Sequence, residues 1–265
     1  MNDQPIFEDL DDIMSALTKL DPKQAKMFAD LIAPYGGQPE PLHPHLQPYL
    51  YDDEYFGSML KHPLVFSLIH APAHNKAVNL QYEQKQKATK EAVARYDWNT
   101  YVFLHERPYR VDAFMEIENR LTNSEYWSLF SSIWMDSENI RENPREWEIL
   151  LNSNRTFREC MMDEEEQQAL AELPDVIDIY QGHTDIRDDG WSWTTDRAKA
   201  EWFAGRFSSL EGAEAFLTIA KVNKADVYAY LLSRGESEII ANPATITMIE
   251  SHQLTQKESD HHEIG

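Results

Sequence analysis

Apolar residues recur at three-to-four spacing as Leu10, Ile13, Met14 and Leu17, then as Met27, Phe28, Leu31 and Ile32, and this period predicts two amphipathic helices within residues 7–33. Asp21-Pro22 starts the second, with proline in its first turn. Five prolines, Pro34, Pro39, Pro41, Pro44 and Pro48, then break the period, so 34–48 reads as an extended surface connection. Helical spacing returns over 53–70, 75–96, 110–120, 124–135 and 144–152. Within it Tyr126, Trp127, Leu129, Phe130, Ile133 and Trp134 form a stripe that reads as core rather than as a base-stacking platform, and Asn143-Pro144 supplies a cap and first turn. The run Asp163-Glu164-Glu165-Glu166 opens a short helix ending near Leu173-Pro174, where acidic side chains complement the positive helix N-terminus.

After Pro174 the period changes. Residues 176–180, 216–222 and 227–231 are strand-like, with one helix at 196–206 between them. The polar stretch from about Glu250 reads as a frayed end. The expectation is an α+β chain: an all-helical domain over 1–172, a β-rich domain over 173–250 and a flexible polar tail over 251–265. No repeat of 20 to 50 residues is present.

Composition narrows the function. The 265 residues are 42% hydrophobic and 11% aromatic, enough to bury a core. Twenty-four Lys and Arg against 46 Asp and Glu give a formal charge of −22, which disfavours non-specific binding to nucleic acid and favours a basic protein partner. The charge is uneven: residues 1–60 hold three basic and eleven acidic groups, and 136–189 hold five and 16. Residues 76–110 hold seven basic and four acidic groups, which reads as a solvated helix face. One cysteine, Cys160, permits neither a disulfide framework nor a CxxC zinc site. With no basic-then-apolar leader at Met1-Asn2-Asp3-Gln4-Pro5 and no run of 18 apolar residues, a cytoplasmic protein that does not enter a membrane is expected. His70 and His74 have the spacing of a metal pair, but Pro72 opposes the helix that would align them, and no metal is expected. Neither GxGxxG nor GxxxxGK[ST] occurs, so a bound nucleotide requires some other architecture.

Three segments carry candidate chemistry: Tyr180-Gln181-Gly182-His183, Ser192-Trp193-Thr194 followed by the helix bearing Ala198, Ala200, Phe203 and Ala204, and Arg234-Gly235-Glu236-Ser237-Glu238. In order and spacing they resemble the ADP-ribosyltransferase family of the arginine, serine, glutamate type, as in its small phage and bacterial mono-ADP-ribosyltransferases. The resemblance spans about 174–245. It implies a split β-sandwich with a packed helix, NAD as co-substrate, and transfer of ADP-ribose to a target, with the Glu-x-Glu form pointing to an arginine side chain as acceptor.

On that resemblance Glu238, Glu236 and Ser192 are the catalytic set. Tyr180, Gln181, Gly182, His183, Ser192, Trp193, Thr194, Phe203 and Arg234 are the NAD-binding set. Cleaving the nicotinamide–ribose bond builds positive charge on the ribose, which a fixed carboxylate such as Glu238 stabilises. Side chains two apart in extended backbone share a face, which would aim Glu236 and Glu238 at one cleft, Glu236 orienting the acceptor. Ser192 would position Glu238, with Thr194 beside it. Where the family carries Tyr-Arg-Gly this chain has Gln181, which lacks the positive charge for a phosphate; His183, Arg187 or Arg234 would have to compensate. Two other readings stay open: an acidic inhibitor of phage anti-defence type, built on a degenerate transferase fold and covering a basic nucleic-acid-binding partner, and NAD hydrolysis without transfer.

Overall fold

The computed structural model describes residues 40–55, 57–137, 140–184 and 190–254. The helices expected within 7–33 lie outside that range, as does Arg187. The chain is mixed helix and antiparallel sheet and divides into two compact units, Met1–Ala113 and Phe114–Gly265. Among the described residues no helix is long and apolar enough to cross a membrane.

In the first unit the expected helix over 53–70 is instead a meander of β1 (Leu50–Asp53), β2 (Gly57–His62) and β3 (Val65–Ser67). The all-helical first domain is thereby corrected. Gly57 sits at φ +72° and Pro63 cannot donate the amide a helix interior needs. Side chains stand in at the turns: Asp53 Oδ1 accepts from the Tyr55 amide at 2.9 Å, and His62 Nδ1 from the Leu64 amide at 3.0 Å. Helix α1 (Asn75–Ala94) lays Val78 and Tyr82 on Leu42, Leu46, Leu60, Leu64 and Val65. Leu42 and Leu46 therefore anchor the described part of the proline-rich connection in a core. Helix α2 (Trp98–Leu104) is capped by Asp97, and α3 (Arg110–Ile117) runs across the boundary between the units.

In the second unit α4 (Asn123–Asp136) begins at a capping box of Thr122 and Glu125 and buries its aromatic stripe, with Trp147 of α5 (Pro144–Leu151) against Phe130 and Trp134. Helix α6 (Glu164–Glu172) begins at a second box, Asp163 with Glu166. A six-stranded antiparallel sheet follows, ordered β7-β8-β5-β4-β6-β9. Its strands are β4 (Val176–Thr184), β5 (Ser192–Thr194), β6 (Ala215–Asn223), β7 (Val227–Leu231), β8 (Glu238–Ala241) and β9 (Thr247–Gln253). The expected tail thus starts too early, because Ser251–Gln253 pair with β6. At the β7 edge, Met162 Sδ accepts from the Tyr230 amide and Glu166 Oε1 from the Leu232 amide, covering groups that would otherwise invite another strand. Helix α7 (Arg197–Glu211), capped by Asp196, crosses β4 where Gly182 meets Ala200 and Ala204.

Candidate functional site

The three segments singled out in the sequence fall on neighbouring strands. Glu238 opens β8, Ser192-Trp193-Thr194 makes up β5, and Tyr180-Gln181-Gly182-His183 lies in β4. Directly paired residues of antiparallel strands share a face. Tyr180 pairs with Thr194, Thr194 with Glu238, and Glu238 with Leu231, so one row of side chains crosses four strands. Ser192 lies two residues from Thr194 on that same face.

Here the side chains meet. Ser192 Oγ donates to Glu238 Oε1. The indole Nε1 of Trp134, from α4, donates to the same oxygen at 3.1 Å. Thr194 acts on the backbone instead. Its hydroxyl donates to the Glu236 carbonyl at 2.6 Å and accepts from the Asp196 amide at 3.0 Å. Together with the Thr195 amide on the Ser237 carbonyl at 3.1 Å, it pins the turn that delivers Glu238.

That turn departs from the expected extended Glu236-Ser237-Glu238. Glu236 has φ −99° and ψ −15°, and Ser237 has φ +47°, between Gly235 at +62° and the first residue of β8. Pleat alternation therefore does not align Glu236 with Glu238. A non-glycine residue in this left-handed region costs about 1–2 kcal/mol, which the hydrogen bonds from Thr194 and Thr195 help to offset.

The rest of the set expected to bind NAD divides between the faces. Tyr180 and Gly182 share the face of Ser192, and Tyr180 packs against the cluster of Ala200, Ala204, Leu217 and Leu254. Phe203, half-buried on α7, stacks with Phe207 at 5.9 Å. Gln181, His183 and Trp193 alternate to the other face. Gln181 is only 9% exposed; its amide donates to the backbone carbonyl of Ser192 at 3.0 Å, while its buried Oε1 has no hydrogen-bond partner. Gly190 leaves room for that amide, because a Cβ there would overlap Gln181 Nε2. His183 Nδ1 donates to the Thr184 carbonyl at 2.9 Å, and its Nε2 meets Thr218 Oγ1 at 2.8 Å. Trp193 donates to the Gly190 carbonyl at 2.8 Å. Arg234 lies in the turn Ser233–Gly235, its side chain outside the described part of the structure.

As a fit to NAD the site is uneven. A carboxylate held on a rigid strand suits the ribose end, whereas Gln181 brings no charge for a diphosphate and is occupied behind β5. Among the described residues no group of three or more His, Cys, Asp or Glu is placed to hold a metal ion. Trp134 is the residue that sequence reasoning assigned to core alone. The one available signal was chemical: a buried indole N–H needs an acceptor, but nothing local names one 104 residues away. Comparison of the chain with models of known families, with curated proteins and with solved structures finds no match.

Proposed function

We propose that the chain is a mono-ADP-ribosyltransferase that cleaves NAD at the nicotinamide–ribose bond and passes ADP-ribose to an arginine of a basic protein. The observation carrying this reading is the hydrogen bond from Ser192 to Glu238 on adjacent strands β5 and β8, beside the Tyr180-Gln181-Gly182 segment of β4. In this role the Glu238 carboxylate faces the positive charge that develops on the ribose, and its value lies in being oriented before that charge appears. Ser192 holds the carboxylate, and the turn pinned by Thr194 sets where it begins. Glu236, leaving the strand geometry one turn earlier, is the candidate for orienting the acceptor.

The test is incubation of the purified chain with NAD labelled in the ADP-ribose part and a cell lysate. Label should enter a protein band, and Glu238→Gln should lower its rate by about a hundredfold or more, the scale lost with one preorganised electrostatic group. Full labelling by Glu238→Gln would sink the assignment, and free ADP-ribose without a labelled acceptor would replace transfer by hydrolysis.

The position of Gln181 favours a second reading. Its side chain braces the Ser192 backbone instead of offering a cation beside Glu238, and the net charge of −22 suits a basic surface. An acidic inhibitor would bind its partner stoichiometrically without NAD, weaken with added salt, and keep its affinity in Glu238→Gln. Substoichiometric inhibition that requires NAD would exclude it.

A further inference from the structure

We propose that Trp134 is a positioning residue for Glu238: its indole N–H and the Ser192 hydroxyl together fix one carboxylate oxygen and hold the group in its ionised form. The catalytic consequence rests on the reading of Glu238 as the reacting carboxylate; the effect on its ionisation does not.

The two donors are not equivalent. A serine hydroxyl both donates and accepts, so Ser192 alone would tolerate a protonated Glu238 by reversing its role. An indole N–H only donates. At 3.1 Å from Oε1 it adds a preference for the anion that cannot be reversed by rotation. Nor is the indole at liberty to turn away. Trp134 is 4% exposed, stacked with Phe130 at 5.9 Å and 27° and set edge-on to Trp147 at 5.1 Å and 75°. The aromatic stripe of α4 thus fixes the donor's direction. Both donors end on Oε1, which removes rotation of the carboxylate about its last bond. A carboxylate answering a cationic transition state needs this kind of preorganisation, because any reorientation during the reaction subtracts from the stabilisation. The helical layer of the second unit therefore enters the chemistry through the indole N–H of α4.

The experiment uses the full chain and a variant that keeps the ring but removes the donor, Trp134→Phe. Glutamate labelled with 13C at the side-chain carboxyl reports each titration by NMR, and Glu238→Gln assigns the Glu238 signal. Nicotinamide release from NAD reports turnover. In Trp134→Phe the Glu238 titration should move up by about one pH unit, the effect of losing one donor to the charged form. kcat should fall about tenfold, with KM unchanged and the acid limb of its pH profile displaced upward by the same interval. If the phenylalanine variant does not fold, a benzothienylalanine placed at 134 replaces the N–H by sulfur with the shape retained, and the same shifts are expected. A Trp134 that serves only as packing would leave the Glu238 titration and the pH profile in place whatever it did to stability, and that result overturns the proposal. A Glu238 titration moved in Trp134→Phe, while the wild-type protein releases no nicotinamide, would sustain the positioning role and remove the transferase reading.

Discussion

A methyl group on Gly182 would overlap the Ala200 carbonyl oxygen and lie 2.7 Å from the Ala204 amide nitrogen, both backbone atoms of α7. Neither can be moved without lifting the helix from β4, so Gly182→Ala should lower stability by about 3 kcal/mol, at the upper end of ordinary overpacking. A denaturant midpoint measures it. Residue by residue, legibility followed chemistry that is local in sequence. Ser192, Glu238 and the strands that carry them could be read because each sits in a short pattern of recognisable type. Trp134 could not, since its relation to Glu238 exists only once α4 lies against the sheet. Gln181 was legible as a departure, but its turn to the other face follows from the pairing of Tyr180 with Thr194, which no pattern along the chain displays.

At the level of elements, the acidic run at 163–166 is the instructive case. It was recognisable as a helix start, yet its members differ in work. Glu166, 8% exposed, closes the capping box with Asp163 and accepts from the Leu232 amide at the end of β7. Glu164 and Glu165 are exposed. Glu166→Ala should therefore cost about 1–3 kcal/mol by orphaning two backbone donors, while alanine at 164 or 165 should change stability by no more than about 0.5 kcal/mol. The misread elements have equally physical causes. Residues 53–70 carry apolar side chains at helical intervals, but Gly57 and Pro63 fall at the turns of a meander, where their backbone requirements outweigh spacing. Strand β9 is nearly all exposed, so it shows no alternation, and its polarity was indistinguishable from that of a frayed end.

For the whole molecule, the two units have different chemical limits. Burial first, then the neighbouring His105 and His45, hold His62 below the ordinary histidine value of 6.5. The unfolded chain takes up that proton as pH falls below about 6.5 while the folded unit resists it, so the stability of the first unit should decline through that window. Tyr126 in the second unit is pushed up to about 12 by burial, and its hydroxyl donates to the Leu150 carbonyl at 2.9 Å. Its contribution is complete below pH 10, the ordinary tyrosine value, and is lost on the way to about 12. Unfolding followed across pH by circular dichroism should show these two flanks, and Tyr126→Phe should flatten the alkaline one. A different consequence follows from the row Tyr180–Thr194–Glu238–Leu231, whose members come from four strands spread over the last third of the chain. Such pairings form slowly, because loop closure precedes any reward from contact. On a ribosome Glu238 emerges after seven of the nine described strands, so a nascent chain stopped before residue 238 carries the whole first unit and Ser192 but lacks the carboxylate that Ser192 holds.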